Sequence, residues 1–190
     1  MTNSSPLKLK ARVAFAVVVL AISQFAIYAG NMSGAIYTTD FVGAAVNQNI
    51  YGTQFAVYIS GGPNNNNSAG LPANEVFYFE VTDPSGNQLL STDPAQCRQV
   101  QTDGQGRIFA VAGGSCSHST GVTDVSNGAL PVQLWPFAKT PNNGNEYKVT
   151  LVRKNAPGVS IIDDGYGLDY PKSAAKSDNF KIPVYRLIDE

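Results

Sequence analysis

Histidine occurs once and cysteine twice in the 190 residues, and no dense cluster of metal-ligating side chains is visible. The usual material for imidazole acid/base chemistry or a transition-metal site is therefore scarce. Charge is scarce as well: 14% of residues are Asp, Glu, Lys or Arg, the formal net charge is −1, and no basic run follows the first dozen residues. Nucleic-acid binding draws on concentrated positive charge, so the composition excludes nucleic acid as a partner. Gly and Pro follow no collagen-like period, and an apolar content of 43% is too high for a disordered chain. With 18 Gly and 11 Pro, the remaining reading is one loop-rich globular domain with a sizeable core.

What is present begins with an address. Lys8, Lys10 and Arg12 stand in a start without acids, and residues 13–29, VAFAVVVLAISQFAIYA, carry no charge. A basic start and an apolar run form the pattern of a secretory signal. The run is short for a bilayer span, and Ser23 and Gln24 interrupt it. Residues 1–29 are read as a signal peptide removed after Ala29, with an uncleaved anchor as the competing form. Either form places residues 30–190 outside the cytoplasm, whether extracellular, on the cell surface or periplasmic, and the N-terminal segment contacts membrane during export. All fourteen acids but only ten of the thirteen bases follow residue 29, giving that part a formal charge of −4. LPANE at 71–75 is similar to a wall-sorting motif but lies mid-chain, with no apolar tail or basic end behind it.

Beyond residue 30 the apolar residues recur at period two. In 75–82, EVFYFEVT, Phe77, Phe79 and Val81 alternate with Val76, Tyr78 and Glu80, the strongest strand in the chain. Further strands are expected at 54–60, 107–112, 131–135, 146–153 and 179–185, with shorter ones at 35–39 and 89–92. Between them stand GGPNNNNSAGLP, DPSGN, TDGQG, PNNGN and DDGYG, each with Gly, Asn, Pro or Asp where a turn needs them. The Asn run at 64–67 has the composition of a mobile loop. Seven to eight short, punctuated strands and no amphipathic helix predict an all-β domain, an antiparallel β-sandwich of immunoglobulin-like or prealbumin-like type.

Cys97 and Cys116 form an even pair in an oxidising compartment and are expected to be one disulfide. A nucleophilic Cys116 helped by His118 lacks an identifiable orienting acid, and a zinc site lacks close-spaced ligand pairs. His118, in CSHSTG, reads as a solvated loop histidine. Asp163, Asp164 and Asp169, in DDGYGLD, offer oxygens to a hard cation, with calcium the one cofactor considered; the spacing misses that of an EF-hand loop, and solvated turn acids are the plainer reading. Adjacent Asp163 and Asp164 point apart on an extended chain, which disfavours a glycosidase pair. Trp135, in QLWPF, is read first as a core residue closing one end of the sandwich and, in the alternative, as an exposed sugar-stacking platform. Tyr166 and Tyr170, in the acidic turn, are the better exposed ligand-binding candidates.

The order GAIYTTD, VYISGGP, LPANEVFYFEVTDPSGNQLLST, NEYKVTLVRK and SDNFKIP resembles the prealbumin-like, Cna protein B-type modules of bacterial surface proteins. It is also similar to uncharacterised secreted bacterial proteins with GGP, VTDPSG and DNFK signatures. The resemblance implies a stalk or binding domain without catalysis. Many such modules carry a Lys–Asn isopeptide bond from the first strand, but residues 34–40 contain no Lys. The expectation is a secreted or surface-attached noncatalytic structural or adhesive module, with a carbohydrate- or calcium-binding module as the alternative and a secreted hydrolase third. Its partners would be a surface protein, a glycan, or another copy joined through a sheet edge.

Overall fold

The alternation at the centre of the chain gives strand β3 (Val76–Thr82) two buried faces. Phe77, Phe79 and Val81 are fully buried in the main core, whereas Tyr78 joins a second apolar cluster across the sheet. The computed structural model describes residues 31–44, 48–63 and 68–183. The expected signal at 1–29 and the Asn run at 64–67 lie outside the described residues.

β3 is the middle of a five-stranded antiparallel sheet, flanked by β7 (Glu146–Arg153) and β4 (Gln99–Thr102), with β10 (Ala175–Lys181) and β5 (Ile108–Val111) outermost. Its register sets Phe79 opposite Leu151 and Val81 opposite Val149, so cross-strand neighbours share the core face. A three-stranded sheet, in the order β1 (Ala35–Thr39), β2 (Tyr58–Gly62) and β6 (Val132–Gln133), supplies Ile36, Ile59 and Val132 to the same core. These eight strands form an all-β antiparallel sandwich. A separate hairpin, β8 (Ser160–Ile162) with β9 (Gly167–Asp169), gathers Leu168 with Tyr78, Ala95 and Val152. Ten strands stand among the described residues against the expected seven to eight: β4, β8 and β9 were not expected, and the expected strand at 89–92 does not form. No described helix is long and apolar enough to cross a membrane.

The sheets are tied where their edges meet. Asp178 on β10 accepts hydrogen bonds at Oδ2 from the Thr38 N–H at 2.7 Å and the Thr38 hydroxyl at 3.0 Å, in place of a continued backbone ladder. At the other side the Leu130 N–H donates to the Ile108 carbonyl at 2.8 Å.

Two of the turn sequences act through their carboxylates. Asp83 Oδ1 accepts the N–H groups of Asn87 and Gln88, both at 2.8 Å, while Oδ2 accepts from Ser85. Asp103 does the same for Gln105 and Arg107. Gly106 completes that turn at φ +74°, where an added Cβ would overlap the Leu71 carbonyl.

Several expected strands are corrected. Residues 54–56 form a 3₁₀ turn, with the Val57 N–H closing on the Gln54 carbonyl, so β2 begins only at Tyr58. The 131–135 strand shrinks to two residues between prolines that lack an N–H. β10 starts at Ala175 and ends at Lys181; its polar first half, Lys176–Ser177–Asp178, lacks the apolar alternation that marks a strand and pairs with β7 through the backbone and a Ser177–Thr150 hydroxyl contact at 3.0 Å. Residues 89–92 contribute only isolated bridges.

Candidate functional site

The segment 133–137 is fixed from both sides. Gln133 N–H donates to Ser119, Leu134 N–H to Val57, Thr92 N–H to Pro136 and Ala138 N–H to Leu90. Leu134 and Phe137 are buried in the core, so the intervening Trp135 faces outward and is 42% exposed. The first reading of Trp135, as a core residue, is corrected: its neighbours, not its own ring, close this end of the sandwich. Beneath them Phe137, Tyr147 and Phe180 pack ring to ring, with the Tyr147 and Phe180 planes stacked at 5.1 Å.

Phe55, on the 3₁₀ turn, is 58% exposed and lies beside Trp135 with ring centroids 5.0 Å apart and planes tilted by 38°. Two glutamines join the segments that carry these rings: Gln54 Nε2 donates to the Phe137 carbonyl at 2.6 Å and Gln133 Nε2 to the Phe55 carbonyl at 2.8 Å. Sequence reasoning missed Phe55 because its segment reads as a strand.

The ridge has a hollow on each side. One, of about 310 Å³, is bordered by Phe55 with Thr53, Gln54, Lys139, Thr140 and Asn145. The other, of about 380 Å³, is bordered by Trp135 with Asp93, Ser117, His118, Ser119 and Gln133. The Cys97–Cys116 disulfide is present and lines the second hollow.

His118 is buried, which corrects its reading as a solvated residue. Nε2 lies 2.9 Å from Asp93 Oδ2, Nδ1 lies 2.7 Å from the Gln133 carbonyl, and the ring stands edge-on to Phe79 at 4.8 Å. Asp93 is the orienting acid that the sequence did not reveal, since twenty-five residues separate it from His118. Both ring nitrogens face acceptors, so neither is free to take a proton from a substrate. Asp93 also lies 3.9 Å from Arg98 Nη1. Arg98 is fully buried and its Nη2 donates to the Tyr166 carbonyl. Burial works against its charge, and the carboxylates of Asp93 and Glu80 support it.

The acidic hairpin exposes one of the two tyrosines expected at its surface. Tyr166 is exposed, but Tyr170 is only part exposed and its hydroxyl donates to buried Glu80 at 2.9 Å. Glu80 is pushed above its ordinary pKa, chiefly by burial, with Tyr170, Arg98 and the Leu168 N–H opposing. Asp163 and Asp164 occupy left-handed backbone in the β8–β9 turn, and Asp169 is exposed on β9. Among the described residues no three His, Cys, Asp or Glu side chains come together to hold a metal ion. Comparison with family models, curated proteins and solved structures finds no match to this chain.

Proposed function

We propose that residues 30–190 form a noncatalytic extracellular module, structural or adhesive in role, that presents a surface and does not convert a substrate. The observation that carries this reading is the double engagement of His118. The sole imidazole and its nearest acid are used to join the 114–120 loop, the 93–98 segment and β6, and the adjacent thiols are consumed in a disulfide. General acid/base catalysis needs a group that can exchange a proton with substrate, and here the candidate groups are occupied by the fold. The basic and apolar N-terminal pattern and the disulfide support an oxidising location.

The test is a panel of glycoside, ester and peptide substrates offered to the purified protein beside its His118→Ala variant. The expected result is no turnover by either protein and a lower melting temperature for the variant. Turnover that disappears in a still-folded His118→Ala protein overturns the reading.

A further inference from the structure

We infer that the Phe55–Trp135 ridge and its two flanking hollows bind a neutral glycan chain. The inference rests on the reading of the domain as one that holds its ligand unchanged.

The first argument is exposure. Burying a large apolar side chain stabilises a fold, and this fold leaves two such rings side by side and about half exposed to water. The second is rigidity. Gln54 and Gln133 tie the two ring-bearing segments together, and backbone bonds fix residues 133–138 on both flanks. A platform already held in one geometry loses little freedom when a ligand arrives.

The third argument is the chemistry around the rings. A pyranose ring presents C–H faces that stack on an aromatic face, and its rim of hydroxyls seeks amide and hydroxyl partners. The hollows supply Thr53, Thr140 and Asn145 on one side and Ser117, Ser119 and the Gln133 amide on the other. Each carries a single potential charge at its border beyond the histidine: Lys139 in one, and in the other Asp93, already facing His118 and Arg98. Among the described residues that border the hollows, no cluster of cations stands to attract a polyanion. Volumes of about 310 and 380 Å³ fall in the range of small-ligand sites. One sugar on the ridge and one in each hollow make a chain of three units the shortest that fills the site. A proline-rich peptide, the other ligand that seeks exposed aromatics, prefers a groove lined by several aromatic rings, whereas each hollow is bordered by one exposed ring, Phe55 or Trp135, beside hydroxyl and amide side chains.

Trp135 is the only tryptophan in the sequence, so its fluorescence reports on the ridge without a label. The disulfide-intact protein is titrated with neutral β-glucan, xylan, mannan and chitin oligosaccharides of one to six units, with a polyuronate and with a proline-rich peptide. The expected result is a saturable emission change with at least one neutral series, tightening up to three units and then levelling. Calorimetry is expected to show at least tenfold weaker binding for Phe55→Ala and for Trp135→Ala, with Tyr166→Ala unchanged. Phe55 is exposed, so its variant tests the site even where Trp135→Ala fails to fold.

Binding only of the peptide, binding only of the polyuronate, no response to any neutral series, or binding unaffected by Phe55→Ala overturns the inference. Chromatography of the bound sugar separates the two readings. Cleavage of the chain defeats the noncatalytic reading and leaves the site in place, whereas a folded protein that neither binds nor cleaves defeats the site alone.

Discussion

Gln133 faces Phe55 through its side chain and His118 through its backbone: Nε2 donates to the Phe55 carbonyl at 2.8 Å, and the Gln133 carbonyl accepts from His118 Nδ1 at 2.7 Å. One residue thereby couples the buried imidazole to the exposed aromatic ridge. Continued inward, Asp93 faces the buried Arg98 guanidinium as an ion pair at 3.9 Å, without a hydrogen bond between them, and Arg98 in turn donates to the Tyr166 carbonyl. Buried polar groups need partners, and here the partners also set the position of a surface.

Gln133→Ala removes the tie to Phe55 and keeps the backbone carbonyl that receives His118. A single neutral hydrogen bond is worth about 0.5–1.5 kcal/mol, so a loss of about 1 kcal/mol is expected in urea unfolding. The emission anisotropy of Trp135 should fall as the ridge loosens. Unchanged anisotropy would show that the backbone bonds alone hold the ring.

The disulfide joins residues 19 apart in sequence, with Cys97 buried and Cys116 at the surface. Replacing both by Ser is expected to cost about 3 kcal/mol through the added freedom of the unfolded chain. Thiol labelling of the denatured, unreduced protein should find no free cysteine. A double variant as stable as the parent in urea would assign the 114–120 loop to the His118 contacts alone.

The sandwich was legible because period-two alternation survives in the strands that build its core: Phe77, Phe79 and Val81 are fully buried, as the alternation at 75–82 implies. β4, QVQT, was not legible because two of its four residues are glutamine and its neighbours determine its pairing. Asp83 and Asp103 gave their turns away, since a carboxylate two or more residues before an N–H has a local mechanical role. Trp135 was recognised as a candidate from its composition alone, but its exposure depends on Leu134 and Phe137 turning inward. His118 and Asp93, like Phe55 and Trp135, meet only through long-range folding, and no local spacing announces such pairs.

Asp83 is expected to make the fold acid-sensitive. Its pKa is lowered to about 2, first by the Ser85 hydroxyl and then by the Gln88 N–H. A carboxyl with a depressed folded-state pKa contributes stability that is present above its unfolded value of about 4 and is lost as pH falls through the folded value. Thermal melts between pH 5 and pH 2 should show the parent losing stability more steeply than Asp83→Asn, which keeps an acceptor but does not titrate. Parallel pH profiles would remove Asp83 from the account of acid sensitivity.

Glu80 should act in the opposite direction. It is 5% exposed and accepts the Tyr170 hydroxyl, yet burial outweighs its favourable partners and raises its pKa. An acid whose folded-state pKa lies above its unfolded value binds more protons in the native state between the two. Its contribution is therefore fully present below the unfolded value, about 4.3, and is lost as pH rises through the folded value. Glu80→Gln keeps a side-chain oxygen for Tyr170 without this ionisation, so its melting temperature should gain on the parent between pH 4 and pH 8. Glu80→Leu removes the acceptor and the charge near Arg98 together, and leaving buried polar partners unmatched is expected to cost about 3 kcal/mol. A constant difference between Glu80→Gln and the parent across that pH range would show that Arg98 and Tyr170 compensate the buried charge in full.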